Sequence, residues 1–582
     1  MATYFWVGGS GTWNNSSTTN WALLTGGPGG FGPPITGDTV NFDSNSGTAA
    51  TVTVASTAAC TTCVINKSDI NISLSGNVTF AGTTTFTAGA ITLNNNTFTA
   101  AFFSSNNSNT RSIAFGTGQI NLTGNGGTVW GLATATNFSY TGTPTVNFTY
   151  AGSTGSRTIN HGGTAGGTEA NAVNLNVTAG SDGFNFGNAG IVKNVNFTGF
   201  SGTLSNFFTY ICGDLTLSAG MTLTAGANPF FFNATSGTQK ITSNGKTLDF
   251  PINFEGVGGT YALQDNLTVG STRAVALNNG TLDLTGNSGN WTLTAGSFNS
   301  QSATARSVTF GTGKIVLTGN GATIFSTRTI TNFSCTGSKR VELTYAGSTG
   351  TRIVRGGDLG GTATADNTVD IFITAGSDTV DFFTNATTTA VRSLDTTGFS
   401  GTISTNAFRL FGSLTLSATT VFTGTANAIS FISTSAGNTI TTNGVTVDRP
   451  ITFNGIGGSW AFQDALTQGS TRAFTITNGT VQLKAGATST VGAFATSGTN
   501  QKFLQSTLAG TQATLSQASG TVSASYLTVK DINAAGGATW NAFYSNGNSD
   551  AGNNTGWNFG GTPAVSTEVT YSLRSFTTPR RF

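Results

Sequence analysis

The sequence predicts an all-β protein built as a long parallel β-solenoid, and three observations lead to that fold. Charged residues make up only 8% of the 582 residues, against about a quarter in ordinary soluble domains. A long block of sequence occurs twice in tandem. Short segments that alternate apolar and polar residues, bounded by glycine, asparagine and serine, recur along the whole chain.

The composition excludes a typical helical or α/β enzyme. Strong helix formers are scarce, whereas threonine, valine, isoleucine and phenylalanine suit a pleated sheet. The 80 glycines and the low charge would also fit a disordered chain. However, 43 Phe, 8 Trp and 9 Tyr supply enough apolar surface to offset the entropy lost on folding. A chain of this length would normally split into several domains, unless it is a repeat array.

The internal duplication sets the domain organisation. The motif that begins at Arg111 recurs at Arg306, and the motif Tyr-Ala-Gly-Ser-Thr-Gly that begins at Tyr150 recurs at Tyr345, both 195 residues later. Near the other end of the block the offset has drifted to 199 residues. We therefore divide the chain into an N-terminal capping module, first coils, copy 1, copy 2, a partial third copy with a C-terminal cap, and a tail for assembly: 1–58, 59–96, 97–291, 292–488, 489–559 and 560–582.

The local alternation predicts the strands. Segments such as Gln119-Ile-Asn-Leu-Thr and Asp214-Leu-Thr-Leu-Ser have the period of two that is typical of half-buried strands. In a parallel solenoid each coil stacks on the last, so inward apolar residues form ladders and outward Thr, Ser and Asn hydrogen-bond along the stack. Coils of about 20–25 residues predict some 20 coils, or a rod of roughly 95 Å at about 4.8 Å per coil.

Aromatic residues are expected to close both ends of the solenoid. Trp6, Trp13 and Trp21 lie near the N-terminus, and Trp540 and Trp557 lie near the other end. Exposed strand edges invite aggregation, and large aromatic rings can seal the end of an apolar ladder.

The last residues of the chain have a pattern of their own. A strand-like alternation and two arginines predict that this tail pairs with a sheet edge of another chain. The residues that we assign to assembly are Val569, Tyr571, Leu573, Arg580 and Arg581.

The two ends of the chain resemble a known class of proteins. The run Phe5-Trp6-Val7-Gly8-Gly-Ser-Gly-Thr-Trp13-Asn, followed by Gly37-Asp-Thr-Val-Asn-Phe42-Asp43, resembles the first coil of β-helical structural proteins of aquatic tailed bacteriophages. It resembles the strand repeat of autotransporter passengers more weakly. The run Asn553-Asn-Thr-Gly-Trp557-Asn-Phe resembles the closing module of the same phage proteins. The interior of the chain resembles these proteins only in its general sequence pattern and not in particular motifs.

This resemblance implies a structural virion appendage, such as a tail fibre, tail spike or capsid fibre. It implies location in the virion after synthesis in the host cytoplasm and release by lysis, with no catalytic residues and no cofactor. The expected partners are other virion proteins, with a host cell-surface glycan as a further candidate, and the expected assembly is a homo-oligomer, with a trimer favoured by analogy. Two alternatives stay open: a glycan-depolymerising tail spike, and a bacterial surface adhesin, although no signal peptide is visible.

Carboxylates are the only side chains that offer hydrolytic chemistry. If Asp370 and Asp381 lay side by side, they would act as acid and base across a sugar bond. Together with Asp366 and Asp378 they would instead bind calcium. We favour a third interpretation, in which these acids lie in loops and keep the protein soluble, so we expect neither an enzyme nor a metal site.

Other residues give weaker signals. His161 is the only histidine, and its setting in Asn-His-Gly-Gly predicts a surface turn. Cys60 and Cys63 form a CxxC motif without a second pair, so we expect a structural role at alternate or near-alternate strand positions. No run of Lys and Arg indicates nucleic-acid binding, and no apolar window is long enough for a membrane span.

Adjacent phenylalanines suggest a further candidate surface. In an alternating strand one member of each pair must face outward or lie at a bend. Exposed members would form a sugar-binding platform or an oligomer seam. The residues concerned are Phe102, Phe103, Phe230, Phe231 and Phe232.

Overall fold

The computed structural model describes residues 1–162, 169, 172–188, 190–205, 209–321, 323–357, 363–382, 388–422 and 424–561. Within these residues the protein is all-β, and its parallel strands form a β-solenoid of about 21 turns. The predicted fold class is therefore confirmed, and so is the predicted number of coils.

Contacts divide the chain into two compact units. The first contains Met1–Arg392 and Thr397–Ser404, and the second contains Ser393–Thr396 and Thr405–Phe582. The boundary lies inside the second sequence copy rather than between the copies.

The strands up to residue 392 all belong to the first unit. They are β1 (Thr3–Trp6), β2 (Gly11–Trp13), β3 (Trp21–Ala22), β4 (Thr39–Phe42), β5 (Thr51–Val54), β6 (Thr62–Leu74), β7 (Val78–Thr79), β8 (Thr83–Thr92), β9 (Thr97–Ala100), β10 (Phe102–Ser104), β11 (Arg111–Gly116), β12 (Gln119–Leu122), β13 (Gly127–Gly131), β14 (Phe138–Gly142), β15 (Thr145–Phe148), β16 (Ser156–Asn160), β17 (Asn174–Val177), β18 (Gly183–Phe186), β19 (Gly190–Val192), β20 (Val195–Asn196), β21 (Thr203–Ser205), β22 (Thr209–Ile211), β23 (Leu215–Thr216), β24 (Thr222–Leu223), β25 (Phe230–Phe232), β26 (Thr238–Thr242), β27 (Thr247–Leu248), β28 (Ile252–Phe254), β29 (Thr260–Leu263), β30 (Leu267–Val269), β31 (Ala274–Leu277), β32 (Gly280–Asp283), β33 (Thr292–Ala295), β34 (Ser297–Asn299), β35 (Arg306–Thr309), β36 (Lys314–Leu317), β37 (Thr323–Ser326), β38 (Phe333–Thr336), β39 (Arg340–Leu343), β40 (Thr351–Arg355), β41 (Asp370–Ile373), β42 (Thr379–Phe382) and β43 (Thr389–Val391).

The strands beyond residue 392 belong to the second unit, except for the first three residues of β45. They are β44 (Leu394–Asp395), β45 (Thr402–Thr405), β46 (Phe408–Leu410), β47 (Leu414–Thr415), β48 (Val421–Phe422), β49 (Ile429–Phe431), β50 (Asn438–Thr441), β51 (Thr446–Val447), β52 (Ile451–Phe462), β53 (Thr467–Gln468), β54 (Ala473–Leu483), β55 (Thr488–Val491), β56 (Ala493–Thr496), β57 (Lys502–Ser506), β58 (Ala513–Gln517), β59 (Thr521–Ser523), β60 (Leu527–Lys530), β61 (Ile532–Ala535), β62 (Thr539–Asn541), β63 (Ser549–Asp550) and β64 (Trp557–Asn558). Two short 3-10 helices, Gly286–Ser288 and Tyr544–Asn546, complete the described elements.

Each coil of the first unit has three faces, because successive strands join three different parallel sheets. Face 1 contains β10, β13, β16, β18, β21 and β24, and β27, β30, β33, β36, β39 and β41 take the same place in later coils. Face 2 contains β19, β22, β25, β28, β31, β34, β37, β40 and β42. Face 3 contains β9, β12, β15, β17, β20, β23, β26, β29, β32, β35 and β38.

The register of face 3 shows how the coils hold together. Inward residues of consecutive coils lie directly above one another, and each is at most 4% exposed: Phe98, Ile120, Val146, Leu175, Val195, Leu215, Ile241 and Leu263. Outward, the Asn147 amide donates to Asn121 Oδ1 at 2.8 Å, and the Asn176 amide donates to Asn147 Oδ1 at 2.9 Å. The apolar ladder and the polar ladder were both predicted from the alternation of residue types.

The two sequence copies pair alike but are displaced by one face. In copy 1, β9 and β12 pair in face 3. Their counterparts in copy 2, β33 and β36, pair in the same register in face 1. One copy therefore spans a whole number of coils plus one third of a turn. As a result, equivalent strands of the two copies within the first unit lie on different faces.

The start of the solenoid is closed by aromatic rings and by a reversed strand. β3 pairs antiparallel with the free edge of β1 and places Trp21 opposite Trp6, with ring centroids 4.9 Å apart. Trp13 lies 5.3 Å from Trp21 and stacks on Phe80 at 5.1 Å. All three tryptophans are fully buried. The reversed strand covers an edge that would otherwise pair with another chain.

In the second unit a similar cluster closes the last coils. Trp540 lies 5.9 Å from Phe494 and 5.1 Å from Trp557. β62 and β64 carry the two tryptophans in parallel register. The predicted aromatic clusters are thus present at both ends.

Replacing Trp21 by alanine should open the N-terminal end. Because the ring is fully buried against two other tryptophans, we expect Trp21→Ala to lower the free energy of unfolding by about 3–5 kcal/mol. Urea denaturation followed by circular dichroism measures this loss. Phe31→Ala in the same module is the control, since that ring is 42% exposed, and it should cost less than about 0.5 kcal/mol. Equal losses in the two variants would contradict the role of Trp21 as a cap.

Candidate functional site

The four aspartates of copy 2 do not form one site. Asp370 lies in β41 on face 1, whereas Asp381 lies in β42 on face 2, so the prediction that these acids lie in loops is wrong for both. Asp378 is buried just before β42, and the side chain of Asp366 is fully exposed. Among the described residues there is no group of three or more His, Cys, Asp or Glu side chains that is placed to hold a metal ion.

Asp378 is held by a buried arginine. Its two carboxylate oxygens accept hydrogen bonds from Nε and Nη2 of Arg352 at 2.8 and 2.6 Å, and neither side chain is exposed. Gly376, at φ +99°, passes so close that an added Cβ would lie 2.8 Å from Arg352 Nη2. The pair therefore needs the glycine of Ala-Gly-Ser-Asp, and it links one coil to the next.

Copy 1 contains the same pair. Arg157 donates to Asp182 at 2.9 and 2.6 Å, again with both side chains fully buried. In each copy the guanidinium also lies 5.7 Å from the ring of the tyrosine that begins the motif, Tyr150 or Tyr345. The sequence motif shared by the two copies thus encodes a structural link between coils.

Asp370 and Asp381 have separate surroundings. The carboxylate of Asp370 accepts a hydrogen bond from Nε of Arg392 at 2.7 Å. Burial raises the pKa of Asp381, although a hydrogen bond from Ser404 and the nearby Arg355 act in the opposite direction. The structure does not bring the two carboxylates together, so it contains no acid and base facing each other across a groove at these positions.

His161 is buried, so the predicted surface turn is wrong. The residue is 1% exposed, its ring contacts Phe186, and Nε2 lies 2.6 Å from Thr209 Oγ1. It follows β16 directly and continues the inward phase of Arg157 and Ile159. Extending the alternation by two residues would have found this, but the glycines that follow favoured a turn. Burial lowers the pKa of His161 to about 3.

Cys60 and Cys63 are both buried and free. Burial, and then a hydrogen bond with Cys63, raises the pKa of the Cys60 thiol. The Cys60 thiol is therefore neutral, which disfavours metal binding or redox exchange through that sulfur. Cys63 lies in β6 and points inward, as a structural role requires.

The paired phenylalanines alternate as predicted. Phe103, Phe230 and Phe232 are buried, whereas Phe102 and Phe231 are only partly buried. The residues that we assigned to assembly, Val569, Tyr571, Leu573, Arg580 and Arg581, lie outside the described residues.

The candidate functional site is a cleft in the first unit, at the corner between face 1 and face 2. Its volume is about 530 Å³, within the usual range of ligand sites. Four consecutive coils line it, because its residues come from the turns after β30, β33, β36 and β39 and from the starts of β34 and β37. The lining residues are Ser271, Thr272, Gly296, Ser297, Thr318, Gly319, Asn320, Gly321, Thr323, Ile324 and Tyr345.

The cleft is polar but uncharged. Its lining residues are serines, threonines, glycines, one asparagine, one isoleucine and Tyr345, the single aromatic residue among them. The Thr318 hydroxyl donates to the Ala295 carbonyl at 3.2 Å, and the Asn320 amide donates to the Thr349 carbonyl at 3.3 Å. Their oxygens therefore keep lone pairs that can accept hydrogen bonds from a ligand.

Sequence reasoning did not find this cleft. Serine, threonine and glycine are common everywhere in the chain, so no single residue marks the site. One signal was available: copy 1 has Phe102 where copy 2 has Ser297, within an otherwise similar stretch.

The chain was compared with known proteins in three ways. No family model, no curated protein and no solved structure matches it. In the described part of the chain, no helix has the length and apolar character that a membrane crossing requires.

Asp378→Asn should destabilise the first unit strongly. The change leaves the Arg352 guanidinium buried without a counter-charge, which costs about 3–5 kcal/mol of unfolding free energy. Urea denaturation followed by circular dichroism measures the loss. Asp249→Asn is the matched control, since the Asp249–Arg273 pair also joins two coils but is 42% and 25% exposed, and it should cost less than about 1 kcal/mol. If both variants lose the same free energy of unfolding, burial does not increase the contribution of the Asp378–Arg352 pair to stability.

His161 should make stability depend on pH below neutrality. The unfolded chain takes up a proton near the ordinary value of 6.5, whereas the folded protein does so only near 3. Stability from the neutral, buried ring is therefore complete above about pH 6.5 and falls as the pH is lowered towards 3, by up to about 1.4 kcal/mol per pH unit. Thermal melts of wild type and His161→Gln between pH 7 and pH 4 test this. The difference in melting temperature between the two proteins should shrink as the pH falls. A difference that stays constant with pH would contradict the argument.

Proposed function

We propose that the protein is a structural appendage of a tailed-bacteriophage virion, of the fibre or spike type, and that it contacts the host surface. The observation that carries the proposal is a duplicated parallel β-solenoid whose first and last coils are both closed by aromatic clusters. This fold is compatible with fibre, spike and adhesin roles. The resemblance of both ends of the chain to phage structural proteins favours the virion among these.

A solenoid suits a structural role because each coil needs only its neighbours. Duplication then adds coils without requiring a new core. The links between coils that we describe here, from the apolar ladder of face 3 to the buried pairs of Arg157 and Arg352, are structural rather than catalytic.

Contact with a host surface would use the outward side chains. Ladders of asparagine, threonine and serine repeat from coil to coil, for example Asn121, Asn147 and Asn176. Repeated weak contacts combine into a strong one when a single particle presents many of them. The low charge would also limit the salt dependence of such contacts.

A depolymerase role has less support. Such an enzyme needs two carboxylates placed on either side of a sugar bond. Asp370 and Asp381 lie on different faces, Asp378 is enclosed by Arg352, and the cleft is lined by no carboxylate.

The tail provides the test of assembly. Val569, Tyr571 and Leu573 share one phase of a strand pattern, and Ser572 has the opposite phase. If the tail pairs with a sheet edge of another chain, Leu573→Asp should weaken oligomerisation at least tenfold, because it puts a charge on the packed side. Ser572→Asp, which adds the same charge on the other side, should assemble like wild type.

Sedimentation velocity measures the oligomer, with a trimer expected for the wild type. Immunogold labelling of phage particles that carry an epitope-tagged copy tests location, and label on the particles is expected for wild type and Ser572→Asp only. Unlabelled particles with wild-type protein would refute the virion role. Equal assembly of the two variants would refute the role of the tail.

A further inference from the structure

The cleft of copy 2 lacks an aromatic ring that is present at the equivalent corner of copy 1. Residue 297 is serine, and the equivalent residue in copy 1 is Phe102. The Phe102 ring lies against Gly124, since a Cβ added to that glycine would meet Cε1 and Cζ of the ring at 2.9 Å. At the equivalent glycine, Gly319, the nearest atoms are backbone atoms of Gly296. The ring that covers this corner in copy 1 is therefore missing in copy 2.

We infer that this cleft, lined by Ser297, is a binding site for a neutral oligosaccharide. Sugar hydroxyls both donate and accept hydrogen bonds, and the cleft offers groups of both kinds. Ser271, Thr272 and Asn320 are exposed to solvent, and Ser297 and Thr323 are partly exposed. These groups can exchange water for sugar hydroxyls at little cost.

Tyr345 supplies the apolar contact that a sugar ring needs. A tyrosine combines a large apolar ring with a polar tip, so it can pack on the C–H face of a pyranose and still hydrogen-bond. The ring is fixed in place because Arg352 lies 5.7 Å from its centroid and Gly347 packs against its edge. The buried Arg352–Asp378 pair holds that arginine. The structural link between coils thus also orients the aromatic residue of the cleft.

The lining excludes other ligand classes. No charged side chain lines the cleft, so an anionic or cationic ligand would lose hydration without gaining a counter-charge. An apolar ligand would leave the hydroxyls without partners. The cleft extends over four coils, about 14 Å at the usual strand spacing, which suits a short oligosaccharide rather than a single sugar.

This inference deepens the proposed contact with the host surface and rests on it for its biological setting. Its test uses purified protein alone, so the two can fail separately. Particles that lack the protein would refute the virion role and leave the binding result standing. Absence of saccharide binding would refute the cleft and leave the particle result standing.

The experiment compares binding of maltotriose, cellotriose and chitotriose with that of the charged sialyllactose. Saturation-transfer NMR detects binding, and calorimetric titration gives the affinity and the stoichiometry. We expect at least one neutral trisaccharide to bind, to be recovered at its original length, and to be bound more tightly than sialyllactose.

Ser297→Phe, which imitates copy 1, should weaken binding at least tenfold. Ser430→Phe is the matched control, because Ser430 is an outward, partly exposed strand residue of the second unit, and it should leave binding unchanged. Tyr345→Ala gives a second route if Ser297→Phe does not fold, and it should also weaken binding at least tenfold.

Three results would overturn the inference. They are the absence of binding by all three neutral saccharides, tighter binding of sialyllactose, and unchanged affinity in a folded Ser297→Phe or Tyr345→Ala protein.

Discussion

The stacking of each coil directly on the one before is the constraint on which the rest of this structure depends. Because strands pair in parallel and in register, a residue meets its counterpart of the next coil at a distance of one strand spacing. Like residues therefore contact like residues. Leucine on valine and asparagine on asparagine stabilise the stack, whereas lysine on lysine would oppose it. A charged fraction of 8% follows from this geometry.

Several of the remaining charges are matched by an opposite charge in an adjacent coil. Several ion pairs join residues one coil apart in sequence: Arg157 and Asp182 are separated by 25 residues, and Arg273 and Asp249 by 24. The pair of Lys314 and Glu342 spans 28 residues. Each of these cations is thus matched by an acid in an adjacent coil. The fully buried pair of copy 1, Arg157 and Asp182, recurs in copy 2 as Arg352 and Asp378, whereas the surface at Phe102 and Ser297 has changed. The duplicated link thus persists where the exterior has diverged.

The fold could be predicted from the sequence because the patterns that indicate it extend over many residues. Alternation, low charge and tandem copies each involve hundreds of residues, and the resulting solenoid and its aromatic ends are present. Features that depend on one position were missed. The burial of His161 follows from the phase of β16, but the flanking glycines masked it. The cleft lacks a ring at residue 297, and in the sequence only a comparison with Phe102 of copy 1 points to that position. The displacement of the copies by one face requires counting every strand between them, and short strands of two or three residues cannot be counted from sequence.

The extra third of a turn in each copy has a genetic consequence. Unequal recombination between the two similar gene segments would delete or add one whole copy and would join equivalent strands, so the local pairing of coils would survive the event. Every later strand would nevertheless move round by one face. A lineage that gained or lost copies in this way would keep a stable fold while turning its downstream surface to a new side, and only three such steps would return it to the starting orientation. Selection on the outward surface would therefore act on copy number as well as on individual residues.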